Sequence, residues 1–134
     1  MKIAKKSLNG NKQAYNEAMR YVNNAVEILK NKAAKKDKFY SDKKYVRMAG
    51  NTLWNGVLEA MDYRFPEVKK RSKTRPSVYD YKEYLAKTNK KILTYFVATY
   101  EEAHLYMGYD GNLSYQIAKE AVENSKVIIE WATN

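Results

Sequence analysis

The sequence predicts an all-α protein, an up-and-down bundle of four main helices plus one short helix. Three observations carry that reading. Apolar residues recur at steps of three and four through most of the chain, the spacing that gathers side chains on one face of a helix. Turn-forming residues are scarce, 5 glycines and 2 prolines in 134 residues, too few to punctuate many short strands. Hydrophobic residues make up 45% of the chain and charged residues 30%, so there is enough apolar material for a packed core. A chain of this length suits one domain. Residues 11–134 are expected to form it, with residues 1–10 set apart as a basic, disordered arm.

The elements follow in order. Asn11 is the expected cap of the first helix, whose stripe is Tyr15, Ala18, Val22, Ala25 and Leu29, widened by Met19, Val26 and Ile28. A lysine-rich stretch from Asn31 to Lys38 is expected as its fraying end, where cations suit the helix dipole. Ser41 should cap the central helix, Ser41 to Tyr63. On that helix Tyr45, Ala49, Thr52, Leu53, Gly56, Val57 and Ala60 share a face with little side-chain bulk, suited to close packing. Asn51 and Asn55, one turn apart and weak helix formers, are expected to hold the backbone of a neighbouring segment.

Phe65-Pro66 should end the central helix, because a residue before proline is pushed out of helical geometry. The stretch from Glu67 to Pro76 reads as a basic loop. Ser77 and Asp80 have the spacing of a capping box, opening a short helix from Asp80 to about Ala86 with Tyr81, Tyr84 and Leu85 inward. Thr88-Asn89 breaks the chain before a long helix from Lys90 to Met107, apolar along Ile92, Leu93, Phe96, Val97, Tyr100, Ala103, His104 and Met107. The turn Gly108-Tyr109-Asp110-Gly111-Asn112 then leads to the last helix, capped by Ser114 or Asn112 and running to Trp131.

Composition excludes several chemistries. The chain has no cysteine, hence no disulfide, thiolate nucleophile or cysteine-bound zinc, and its single histidine cannot build a histidine-rich metal site. No metal and no cofactor is expected. The opening MKIAKKSLNG lacks the apolar run of a signal peptide, and no stretch reaches the roughly 18 apolar residues of a membrane span. A cytoplasmic location is the resulting expectation.

The formal net charge is +10, from 25 lysines and arginines against 15 acids. It permits attraction to nucleic acid, to an anionic membrane surface or to an acidic partner, and solubility is its plainer use. Phosphate contact, if any, is expected at Lys69, Lys70, Arg71, Lys73 and Arg75, the densest basic stretch. His104 titrates nearest neutrality among side-chain types. With Asp110 or Tyr109 beside it, His104 is the candidate general base; the alternative is a histidine that closes the end of the bundle.

The strings YNEAMRYVNNAVEIL, YSDKKYVRMAGNTLWNGVLEAMD, RPSVYDYKEYLAK and HLYMGYDGNLSY resemble a family of uncharacterised Bacteroidetes proteins, the domain of unknown function DUF5618. The resemblance runs from about Tyr15 to Trp131 and implies a helical fold without an assigned activity. In style the helices are also similar to HEPN-like domains. HEPN ribonucleases place an arginine a few residues before a histidine on a late helix, whereas here Ala98 to Ala103 precede His104 without one. The functional expectation is a binding or protein-interaction module, as a homodimer or with another protein. The alternative is a HEPN-like nucleic-acid- or nucleotide-binding protein, or a small enzyme using His104.

Overall fold

The computed structural model describes the backbone of residues 2–71 and 77–134, with side chains from 8–68 and 77–134. Helix α1 (Lys2–Asn31) buries Ala18, Val22, Ala25 and Leu29 of the expected stripe, with Tyr15, Met19 and Ile28 half-buried against the core, while Val26, expected to widen the stripe, stays 39% exposed. Its helical backbone begins at Lys2, so Asn11 is an interior residue and not a cap. There its side-chain oxygen accepts a hydrogen bond from the Tyr63 hydroxyl.

After α1 the chain departs from the expected fraying. Lys35–Lys36 (β1) pairs antiparallel with Phe39–Tyr40 (β2), and the turn between them holds Asp37 at φ 57°, a left-handed conformation that aspartate tolerates. The pair is tied down from outside. The Tyr40 amide donates to the Leu113 carbonyl at 2.8 Å and the Tyr115 amide to the Lys38 carbonyl at 2.9 Å, with Phe39 bridged to Ser114. Tertiary hydrogen bonds therefore make a hairpin from a lysine-rich stretch with little strand character of its own.

Helix α2 (Lys43–Arg64) is the central element and packs against α1, the last helix and the segment that carries His104. Asp42 caps it, accepting from the Lys44 amide at 3.1 Å, whereas the Ser41 amide donates back to the Ala33 carbonyl. Val46, Ala49, Gly50, Leu53, Trp54, Gly56, Val57, Ala60 and Met61 are buried. The buried arc is wider than one face because the helix has neighbours on several sides.

The expected basic loop begins instead as a helix, α3 (Pro66–Arg71). Proline suits a first helical position, Glu67 lies in the first turn, and Val68 is buried. Helix α4 (Val78–Thr88) opens on the Ser77/Asp80 capping box and buries Tyr81 and Leu85. Asn89 closes α4 through its amide and opens α5 (Lys90–Thr99) through its side chain, which accepts from the Ile92 amide at 3.1 Å.

Helix α5 continues without a break into a π-helical segment, Tyr100–Tyr109, and α6 (Tyr115–Ala132) follows, capped by Ser114. Counting α5 with its π-helical continuation as one, the described residues hold six helices, one of them short, rather than four main helices and one short. The difference arises at α3 and in α4, which runs over 11 residues. Leu53, Met61, Phe96, Met107, Ile128 and Ile129 are among the fully buried side chains of the core. Thr99, Ser125 and Thr133, also buried, donate their hydroxyls to the carbonyl one turn back.

Candidate functional site

His104 and Tyr109 lie in the π-helical segment, and Asp110 follows directly. The segment starts where the Tyr100 amide is shared between the Phe96 and Val97 carbonyls. At its far end the Asp110 amide donates to the Leu105 carbonyl at 2.9 Å, across five residues. Such wide turns are rare and recur at functional sites.

Helix α2 is shaped to receive this wide turn. A Cβ on Gly50 would stand 2.5 Å from the Ala103 carbonyl oxygen and from Met107 Cβ, and 2.6 Å from the Gly108 nitrogen. Glycine is thus required by close approach of backbone. Asn51 Nδ2 donates to the Gly108 carbonyl at 3.3 Å, and Arg47 Nε donates to the Tyr109 carbonyl at 3.1 Å. These two side chains satisfy carbonyls that a helix end leaves open. Asn51 accordingly holds a neighbouring backbone, as its position on α2 suggested.

The three candidates for chemistry separate into two environments. The half-buried His104 ring lies 5.8 Å from the Trp54 ring and 5.4 Å from the Tyr100 ring, each at 31°. Trp54 in turn contacts Phe96 at 5.3 Å, so the imidazole belongs to an aromatic cluster between α2 and the α5 continuation. Tyr109 is 75% exposed and Asp110 is exposed beside it, at the rim. Lys73 and Arg75 lie outside the described residues; Lys69, Lys70 and Arg71 fall at the end of α3, where the side chains are not described.

A further residue was not legible in advance. Glu102, half-buried, turns toward α6, where its Oε1 accepts from Asn124 Nδ2 at 2.9 Å and its carboxyl hydrogen-bonds with Glu120. Burial pushes its pKa up to about 7; the bond from Asn124 opposes this, while the Glu120 hydrogen bond and the charges of Glu120 and Glu101 add to it. A 3.6-residue period puts Glu102 off the apolar side of the helix, and the wider π turn changes that assignment. The available signal was Glu120 and Asn124, one turn apart on α6. Among the described residues, no three His, Cys, Asp or Glu side chains converge as metal ligands, and no helix is long and apolar enough to cross a membrane.

Fold and site together define a helical-bundle protein in which the helix begun by α5 continues as a π-helical segment packed on α2. The chain belongs to the family of the domain of unknown function DUF5618, whose profile matches residues 13–134. It is similar to a solved structure, a protein of unknown function from Dyadobacter fermentans, at 42% identity and a TM-score of 0.83. That likeness covers 92% of this chain and 95% of the other. It runs to another uncharacterised protein and not to a HEPN domain. No curated protein matches.

Proposed function

We propose that this protein is a non-enzymatic interaction module that docks an acidic partner protein. The docking face is the end of the bundle where the hairpin, the start of α2 and the exit of the π-helical segment meet. One observation carries this reading: Phe39, Met48 and Tyr109 stand 58%, 45% and 75% exposed at that end. The same stretches of chain carry exposed Lys36, Lys38, Lys43, Lys44 and Arg47, against Asp37, Asp42 and Asp110, and Arg47 reaches the Tyr109 carbonyl. Exposed aromatic and thioether side chains in a charged setting are the composition of a protein interface. The tilted ring contacts of His104 with Trp54 and Tyr100 support a packing role for it over a general-base role.

Aromatic rings among cations also suit single-stranded nucleic acid, so the test includes it. Cross-linking capture from the source cells would compare wild type with a Phe39→Ala/Tyr109→Ala double variant, alongside light scattering and a titration with labelled single-stranded RNA. The expected outcome is an acidic protein captured by wild type and lost from the variant, whose melting temperature is unchanged because both residues are exposed. A dimeric mass that the variant abolishes would put a second copy on this face. RNA binding that weakens steeply with salt would put nucleic acid there. Either result overturns the acidic-protein reading.

A further inference from the structure

A second surface has a different character. A groove of about 470 Å³ lies between the last turns of α1, the hairpin and the first two-thirds of α6. Its size falls within the roughly 300–1,000 Å³ of small-molecule sites. The floor is apolar and aromatic, formed by Leu29, Tyr40, Tyr115, Ala118 and Val122. Lys30 and Lys35 stand on one wall and Lys119 and Lys126 on the other, with Glu123 the one acid in the lining. Glu123 lies within one helical turn of both Lys119 and Lys126, so it offsets charge on the α6 wall alone. Lys35 Nζ is held 3.8 Å over the Tyr115 ring, which fixes one ammonium at the groove rather than leaving it to wander in solvent.

An inorganic anion would meet the ammonium groups and leave the floor in contact with water. A hydrocarbon would cover the floor and leave the ammonium groups without a counter-charge. On α6 the lining runs from Tyr115 to Lys126, a length of roughly 16 Å at about 1.5 Å per residue. We infer that this groove binds an amphipathic carboxylate of the medium-chain fatty-acid class, its carboxylate at the end where Lys35 lies over Tyr115, with Lys30 and Lys119, and its chain along Leu29, Ala118 and Val122 toward Lys126. The site is separate from the docking end in the residues it uses.

Isothermal titration calorimetry below the micelle concentration tests the inference with decanoate, decanol and acetate as probes. Decanoate is expected to bind wild type at least tenfold more tightly than decanol, and acetate to give no measurable heat. In a Lys30→Glu/Lys119→Glu variant decanoate should weaken at least tenfold with the helical melting curve unchanged, since both lysines are exposed. Val26→Asp, at an exposed lining position, should weaken it as well. The Phe39→Ala/Tyr109→Ala variant should bind decanoate as wild type does. The inference is overturned if wild type does not bind decanoate, if decanol binds equally, or if the charge-reversed variant binds undiminished. Binding of an acidic amphipathic peptide in the groove with no decanoate binding would also overturn it.

Discussion

Gly56 and Gly50 stand less than two turns apart on α2 and meet different neighbours. A Cβ at Gly56 would stand 2.9 Å from Tyr21 Cβ and 3.0 Å from the Ala18 carbonyl oxygen, so this glycine is where α1 crosses closely. Gly56→Leu should cost roughly 1–3 kcal/mol by overpacking, and Gly50→Ala should also destabilise because the atoms it meets are largely backbone; urea unfolding checks both. Gly56 was legible in the three-and-four spacing of α2. Gly50 was not, because a single-face reading omits the side turned to the π-helical segment. Glu102 gives a pH-dependent prediction. Its carboxyl has an ordinary value of 4.5 and is pushed up to about 7 in the fold. The folded chain therefore holds this proton more tightly, and the stability linked to it is full below pH 4.5 and is lost as pH rises to about 7. A Glu102→Gln variant keeps an amide that can accept from Asn124 and donate to Glu120. It should match wild type near pH 4 and be the more stable protein at about pH 8, as urea midpoints at the two values would show.

At the level of elements, caps decide where helices begin, and the sequence carried most of them. The Ser77/Asp80 box, the double use of Asn89 and the Ser114 cap are all local patterns of side-chain oxygen and backbone amide, readable without the fold. The start of α2 was off by one residue, and the two candidates give opposite expectations. Asp42→Ala should cost about 1 kcal/mol, whereas Ser41→Ala should be close to neutral, a contrast that thermal melts of the two variants would resolve. Two elements were hidden for physical reasons. The hairpin depends on partners more than seventy residues away, Leu113 and Tyr115. The π-helical segment follows an apolar sequence that suits an α-helix equally well, and its wider turn is accommodated by Gly50, which sequence spacing alone does not pair with it.

Across the whole molecule, the helical class was legible because apolar periodicity is a property of each segment taken alone. The function was not legible in the same way. A charge of +10 is a sum over the chain, and a sum does not say which cations share a surface. Folding distributes them: one group is exposed in the same stretches as Phe39, Met48 and Tyr109, another lines the groove beside Tyr115. Neither group is made of residues from Lys69 to Arg75, the basic run most conspicuous in the sequence. The wide turn after α5 has one more consequence, which concerns chain length. Bonds spanning five residues instead of four fit more residues into each turn, so Tyr100–Tyr109 acts as an absorbed insertion. Loss of one residue there can be met by tightening toward an ordinary α-helix, whereas the same loss from α2 would rotate Gly50, Asn51 and Arg47 together by about 100° and separate them from the carbonyls and close contacts they serve.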